Sequence, residues 1–547
     1  MNAGRAVLTV RTAALLRPAQ LAHRVRLRAQ RAALARWPSA GRRVLTTPPR
    51  PAAGWPAGFS PVDARVPGEW PSYLDLRDGR ITLLGRTGRV TEPGDWAARG
   101  APRLWRYHLH YWDWASALAG HENRADARAV FAGLWRRWRA GTPFGLGDAW
   151  SPYVASLRAW SWCSIYSGLV EHTSLAGEFL DELWSHLCFL RAHVERDVGG
   201  NHLVKNLKAL AGLAVFFSDG VLLHRTLDAL GREVGTQVLP DGGHFERAPA
   251  YHCQVLGDLA DVAGLLAAAG RRPPAWLSRA IARMRGFLGL VLLPDGTVPL
   301  LNDGFPVPAA RVAALRPGPP APAGITSLSD SGLVVLRAGG LFVLADVGDP
   351  CPDELPAHAH ADTLSFLLYD GTRRIVTEAG TSTYTPGPRR DFERSTAGHS
   401  TVEIDGANST EVWGAFRAAR RARVLGVAAR DTPGALTLRA AHDGYRRRPG
   451  GPIHRRTWRL DPHRLTVRDE ILGRGRHDIA VRVLLATGVR PAEAARFGPQ
   501  WTSTPVDVAT GWDTLSRATQ LATTTSATLP WTHEFHYHHK EQRAGVK

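Results

Sequence analysis

Between residues 100 and 315 apolar positions recur every three to four residues, the period of helices with one buried face. Stretches 120–139, 154–172, 174–196, 203–217, 219–235, 252–270 and 275–292 carry it, separated by Gly, Pro or Asp-Gly breaks. No G-x-G-x-x-G loop and no strand–helix alternation interrupts the series. Helices of similar length in series predict paired helices closed into a toroid or solenoid, although no strict repeat is visible. After Pro317, Pro319, Pro320 and Pro322 the period falls to two, as in Leu333-Val334-Val335-Leu336, Leu341-Phe342-Val343-Leu344 and Arg464-Leu465-Thr466-Val467. Asp370-Gly371 before Arg374-Ile375-Val376 reads as a hairpin. The expectation is a multidomain chain, α then β: a basic segment over 1–45, a linker or extended wrap over 46–99, an (α/α) toroid over 100–315, and an antiparallel β-sandwich over 316–540.

Composition narrows the picture. No apolar run approaches the roughly 18–20 residues that span a bilayer. Hydrophobic residues at 44% and charged residues at 21% exclude general disorder. The net charge is +19, and only Lys205, Lys208, Lys540 and Lys547 among the 68 cations are lysine. The surplus is guanidinium, suited to bidentate contact with carboxylate, sulfate or phosphate. Cys163, Cys188, Cys253 and Cys351 lie too far apart for a CxxC pair and read as buried free thiols. The first 43 residues hold many arginines and no acid. They read as a basic helix lying on an anionic surface, or as a loosely attached arm. Arg11, Arg17 and Pro18 break the apolar stretch that a standard export signal needs.

Three clusters carry candidate chemistry. Asn201-His202 follows Gly199-Gly200 at a predicted helix start, where Asn caps well and the helix end attracts anions. Asp241-Gly242-Gly243-His244-Phe245-Glu246-Arg247 leads into Tyr251-His252, placing acid, base and phenol in one short loop. His358-Ala359-His360-Ala361-Asp362 is followed by Glu378, Tyr384, Arg394 and His399; an HxH pair with a carboxylate and a later His is a zinc-like spacing. Aromatic rows surround these with Trp105, Tyr107, His110, Tyr111, Trp150, Tyr153 and Arg158, and rings with arginines suit acidic sugars. Tyr445 is expected to face the same groove, and the terminal His533, His536, His538 and His539 a solvated tail.

At these clusters, over roughly residues 100–470, the sequence resembles the heparinase II/III-like polysaccharide lyases. The match also includes Asn206, Lys208, the run Arg394-Ser395-Thr396-Ala397-Gly398-His399, and His442-Asp443-Gly444-Tyr445. The resemblance implies an (α/α) toroid joined to a β-sandwich and a uronate-containing polysaccharide as substrate. Its catalytic group would be Asn201, His202, Tyr251 and His358: Asn201 and His202 neutralise the uronate carboxylate, Tyr251 acts as base, acid or both, and His358 assists. Substrate-binding residues would be Trp105, Tyr107, His110, Tyr111, Trp150, Tyr153, Arg158, Glu246, Arg247, Tyr384, Arg394 and Tyr445. His360, Glu378 and His399 would hold a structural zinc, with no organic cofactor. Glu378 stands where the family commonly has Asp, and Ser400 where it often has Asn. The family works mostly in the cell envelope or outside; without a clear export signal, a cytoplasmic place also fits.

The chemistry is coherent. β-Elimination removes the C5 proton of a uronate, which needs its carboxylate neutralised by hydrogen-bond donors. Arg247 and His252 beside Tyr251 are expected to favour its phenolate. Hydrolysis would need paired carboxylates and a placed water, and no second acid accompanies Glu246. Three alternatives remain: a glycoside hydrolase on the same toroid, a non-catalytic carbohydrate-binding or assembly factor for a surface polysaccharide, and, from charge alone, a nucleic-acid binder, for which no module is present.

Overall fold

The computed structural model describes residues 3–47, 51–52, 54–63 and 70–539. Three helices open the chain: α1 (Ala3–Ala13), α2 (Pro18–Arg36) and α3 (Pro38–Leu45). They are not a loose arm. Arg11 pairs with Glu411 at 3.3 Å, Arg17 pairs with Glu354, and Arg42 pairs with Glu182 at 2.8 Å. The segment therefore clasps both the β-half and the helical half. Within the expected linker, 48–50, 53 and 64–69 lie outside the described residues. The rest contains α4 (Tyr73–Arg77) and a hairpin of β1 (Arg80–Leu83) and β2 (Arg86–Arg89).

The toroid follows: α5 (Arg103–Tyr111), α6 (Ser116–Ala119), α7 (Arg124–Gly141), α8 (Pro152–Leu169), α9 (Ala176–Ala192), α10 (Gly200–Phe216), α11 (Gly220–Gln237), α12 (Pro249–Ala268) and α13 (Ala275–Val291). Local chemistry sets the starts. Asn123 caps α7 by accepting from the amides of Ala125 and Asp126, Asp219 caps α11 through Leu222, and Pro152 and Pro249 occupy first turns. No helix among the described residues is long and apolar enough to cross a membrane.

After α14 (Ala309–Leu315) the chain becomes a β-sandwich. One sheet of nine strands holds β3 (Gly324–Leu328), β4 (Leu333–Ala338), β5 (Leu341–Asp346), β6 (Phe366–Asp370), β7 (Arg373–Val376), β8 (Val402–Ile404), β15 (Arg476–Leu485), β16 (Thr502–Gly511) and β17 (Thr514–Thr528). A two-stranded ribbon joins β9 (Val412–Trp413) to β10 (Arg417–Ala418). The second sheet has five strands, β11 (Val424–Thr432), β12 (Ala435–His442), β13 (Ile453–Asp461), β14 (Arg464–Leu472) and β18 (Trp531–His538), in that order. The terminal histidines thus belong to a strand rather than a solvated tail; Lys540 and Lys547 lie outside the described residues. A core including Leu438, Trp458, Val467 and Phe366 fills the space between the sheets. The other face of the nine-stranded sheet packs Val335 and Leu344 against Phe287 and Val291 of α13. The order of layers is therefore toroid, nine-stranded sheet, five-stranded sheet, solvent.

The aromatic row expected at the groove is largely toroid core. Trp105 is buried and donates its indole N–H to the Arg86 carbonyl under the hairpin. Trp150 packs on His186, Phe144 and Phe189. His110 is buried against Trp138. Arg158 is wholly buried, 4.6 Å from the Trp138 ring centroid and 5.4 Å from that of Trp150, and its Nη1 donates to the His110 carbonyl. Fused rings offer area for burial and a π face for one guanidinium, so these four serve the core rather than a ligand. Tyr445 likewise lies inside the sandwich, its hydroxyl donating to the Val402 carbonyl. All four cysteines are free and buried.

Candidate active site and metal site

The site lies where the starts of α10 and α12 meet the loops of the nine-stranded sheet. Asn201 is inside the first turn of α10, and a carboxylate from another segment does the capping. Glu246 accepts from the Asn201 backbone N–H at 2.7 Å and from its Nδ2 at 2.8 Å, leaving Asn201 Oδ1 without a hydrogen-bond partner. Gly200 makes this approach possible: a Cβ there would lie 2.1 Å from Glu246 Oε1, and its φ is +56°. Glu246 is thus a clamp on the site and not a substrate contact.

His202 projects from the same turn, its ring tilted by 34° and 4.2 Å from the Tyr153 ring, with Nδ1 3.4 Å from Glu195. Burial disfavours its charged form, but the carboxylates of Glu195, Glu246 and Asp197 outweigh that and raise its pKa. It is the partly exposed imidazole of the site, made more basic by these carboxylates. Tyr111 lies edge-on to Tyr153 at 6.2 Å. Tyr153, half-buried and in contact with His202, stands on the site's wall, and Tyr111 is buried next to it. Tyr107 is half-buried beside them and accepts a hydrogen bond from Arg103.

Tyr251 opens α12. Its ring lies 4.0 Å from that of His358, and its hydroxyl is 2.5 Å from the Tyr384 hydroxyl. Burial raises the phenol pKa well above its ordinary value, and Tyr384 and Asp303 push the same way. The two groups expected to favour a phenolate do not. Arg247 turns away to donate to the Asp349 carbonyl. His252 is buried, bonded to the Met284 carbonyl, and its pKa is depressed to about 3, so it is neutral. Tyr251 is therefore a phenol at rest.

His358 comes from the loop between β5 and β6. Its Nδ1 is 2.9 Å from Asp303 Oδ2, and its Nε2 is 3.3 Å from Glu246. Asp303 also accepts from His360 Nε2 at 2.9 Å and is gripped by Arg390 at 2.6 and 2.8 Å. Arg390 belongs to α15 (Pro388–Arg394). Sequence reasoning missed Asp303 and Arg390; an Asn302-Asp303-Gly304 turn was the only local signal for the first. Arg394, expected at the substrate, is 1% exposed and donates to the carbonyls of Ala359, Gly414 and Arg417. It staples the histidine loop to the β9–β10 ribbon.

Behind His358, ligand atoms of His360, Asp362 and His399 lie within 4.8 Å of one another. Glu378, expected as the carboxylate ligand, instead accepts from His399 Nδ1, and Asp362 takes its place in the cluster. The donors fit a divalent metal. His360 is kept neutral by burial, its pKa depressed to about 3; its proton sits on Nε2 facing Asp303, which leaves a lone pair on an orphaned Nδ1. His399 Nε2, both Asp362 oxygens and Glu378 Oε1 are also buried without hydrogen-bond partners. Burial lifts Asp362 to about 6 and Asp346 well above the carboxylate range, with neighbouring carboxylates adding to both. A cation would relieve that repulsion, and the Glu378–His399 contact is the outer support a metal-bound imidazole needs.

Comparisons with known proteins agree with this architecture. A family described as "Heparinase II/III N-terminus" matches residues 104–315, and one described as "Heparinase II/III-like, C-terminal" matches 320–543. "FtsZ-localized protein C" of Caulobacter vibrioides is 28% identical over 427 residues, covering 73% of this chain and 69% of that protein. "Heparin-sulfate lyase" of Pedobacter heparinus is 24% identical over 360 residues, covering 57% of this chain and 53% of that protein, so the match spans about half of that relative. Among solved structures, heparan sulfate lyase from Pedobacter heparinus has a TM-score of 0.61 at 18% identity, over 88% of this chain and 85% of that chain. Chondroitin AC lyase from Streptomyces coelicolor A3, solved with chondroitin sulphate, has 0.52 at 12% identity, over 83% and 79%. These structures share the toroid-plus-β fold. With both family descriptions matched along most of its length, the chain belongs to the heparinase II/III-like family.

Proposed function

We infer that the protein is a polysaccharide lyase, a carbon–oxygen lyase acting on an acidic, uronate-containing polysaccharide by β-elimination. The relatives named for heparin sulfate and chondroitin support the substrate class. The observation that carries the chemistry is that Glu246 joins Asn201 to His358 and His358 lies against Tyr251, with His202 on the Asn201 turn; this brings together an imidazole of raised basicity, a neutral phenol and a carboxylate-oriented imidazole.

In the reaction, His202 faces the uronate carboxylate and its imidazolium offsets the charge that builds as C5 loses its proton, while Asn201, its amide nitrogen bonded to Glu246, fixes the helix turn that carries His202. Asp303 holds the proton of His358 on Nδ1, which leaves Nε2 to accept the C5 hydrogen. The C4–O4 bond breaks, O4 leaves with the proton of the Tyr251 phenol, and a C4=C5 double bond remains. Tyr384 accepts or donates at the Tyr251 hydroxyl and so positions it. Tyr107, Tyr111 and Tyr153 form a wall on which sugar rings stack. A zinc ion held by His360, Asp362 and His399 would neutralise the buried carboxylates and fix the loop that carries His358.

Wild-type protein incubated with heparan sulfate, chondroitin sulfate and other uronate polymers should release unsaturated ends that absorb in the ultraviolet. Reducing ends without that absorbance, or binding without turnover, would replace this reading with hydrolysis or a non-catalytic role.

Two further outcomes are expected. His202 has a pKa raised above its unfolded value of about 6.5. Its cation is present below that value and lost as pH rises through the folded pKa, so kcat/KM should decline on that alkaline side; the same ionisation contributes stability that is lost over the same window. A pH profile of His202→Gln should lack that limb. Removal of metal with a chelator should lower the thermal midpoint, and zinc should restore it, with about one zinc per chain by elemental analysis. Full stability after exhaustive chelation would exclude the metal.

A further inference from the structure

The outer face of the five-stranded sheet carries arginines with no evident structural role. The register places Arg430, Thr437, Arg459, Thr466 and His536 on one rung across β11, β12, β13, β14 and β18. The next rung reads Ala428, Arg439, Thr457, Arg468 and Glu534. Arginine and threonine therefore alternate both along the strands and across them. Arg430, Arg439, Arg459 and Arg468 are all exposed. The nearby Arg455 and Arg464 are paired with Glu470 and Asp461, whereas these four make no ion pair among the described residues. Their field is felt locally: the Glu470 carboxylate is held low first by its hydrogen bond to Arg455, with Arg468 and Arg439 adding to it.

A soluble sheet ordinarily mixes charges on its open face, because like charges on neighbouring strands repel. Here Glu534 is the one acid on the two rungs. With strands about 4.8 Å apart, two arginines on one rung stand about 10 Å apart with a threonine hydroxyl between them. The surface spans five strands on an open sheet face, so it suits an extended polyanion lying across the strands rather than a compact anion in a pocket. It also lies two sheets away from Tyr251, on the side remote from the toroid.

We propose that this face is a second, non-catalytic binding surface for acidic polysaccharide, holding a distant stretch of the same long chain whose uronates enter the cleft. The choice of a glycan over other polyanions rests on the lyase reading; the surface itself rests on the register and charge. Arginine forks take sulfate or carboxylate bidentately, and the threonines supply hydroxyl partners to the intervening sugar.

The test uses the full chain carrying Tyr251→Phe, which keeps the ligand uncut, and long heparan sulfate chains as probe. The triple change Arg439→Ser, Arg459→Ser and Arg468→Ser should weaken binding at least tenfold near physiological salt and flatten the dependence of log affinity on log salt concentration, as expected when fewer counterions are released from a polyanion. In the catalytically intact background the same triple variant should raise KM for the polymer and leave turnover of a heparan sulfate tetrasaccharide unchanged. Independently of any substitution, bound glycan should protect these arginines from an arginine-modifying reagent. Unchanged affinity, or no protection, overturns the proposal. So does equal, arginine-dependent binding of duplex DNA or phosphatidylserine vesicles, which would make the face a general polyanion or membrane surface. Failure of the lyase reading is separable: arginine-dependent glycan binding without any unsaturated product would remove the activity and leave the surface.

Discussion

Tyr251→Phe is expected to lower kcat by about 10²–10⁴-fold, the usual worth of one general acid or base, while the protein stays folded and still binds glycan. Phenylalanine keeps the ring that packs 4.0 Å from His358 and at 5.7 Å from Phe305, so packing is preserved. What is lost is one hydroxyl, bonded at 2.5 Å to Tyr384 and to no other group among the described residues. Tyr384 keeps its place between Arg390, Phe416 and Trp512. A drop in KM with kcat, or none in kcat, would show that the hydroxyl does not act on the reacting atoms. The partner change Tyr384→Phe separates roles: as a positioning residue it should cost less in kcat and shift the pH dependence. Burial holds the Tyr251 phenol protonated, so activity should not wait for alkaline pH. A rate that climbs steadily towards pH 10 would instead make Tyr251 the base.

The toroid and sandwich were readable from period alone, because helices and strands bury faces at fixed spacings and the breaks between them are Gly and Pro. The candidate clusters were legible because each is local: Asn201-His202 sits at one helix start, Tyr251 at another, and His358-Ala359-His360 in one loop. The aromatic row was misread for a physical reason. Rings and arginine look the same in sequence whether they line a groove or a core, and only their partners in the fold separate Arg158, buried among tryptophans, from Arg390, buried against Asp303 beside the site. Arg247 was misread because its backbone has a positive φ of 58°, which swings the side chain towards Asp349. The exchange of Glu378 for Asp362 within ligand range depends on how two loops fold over each other. Asp303 was invisible because its partners His358, His360 and Arg390 lie 55 to 87 residues away in sequence.

That carboxylate carries the second large expected effect. Asp303 is fully buried and takes hydrogen bonds from His358, His360 and Arg390. Asp303→Asn keeps the shape and removes the charge. Arg390 is then a buried cation without its counterion, a loss of about 3–5 kcal/mol in pairs of this kind, softened by its remaining bonds to the Ala415 carbonyl. The midpoint of denaturant unfolding should fall accordingly. Catalysis should fall as well, by about 10²-fold or more, because an amide no longer fixes the proton on His358 Nδ1 and the Nε2 lone pair is no longer presented to C5. The acid side gives a third reading. Burial pushes Asp303 up, but Arg390 and the two histidines outweigh it and hold the group well below the carboxylate range. Its stabilisation is therefore present above the unfolded pKa of about 3.9 and lost as pH falls below it; the variant should show a shallower loss of stability between about pH 5 and 2. A structural role alone would move stability and leave kcat of the folded fraction intact. Loss of both, together with a changed pH–rate profile, identifies Asp303 as the residue that couples the His358 imidazole to His360.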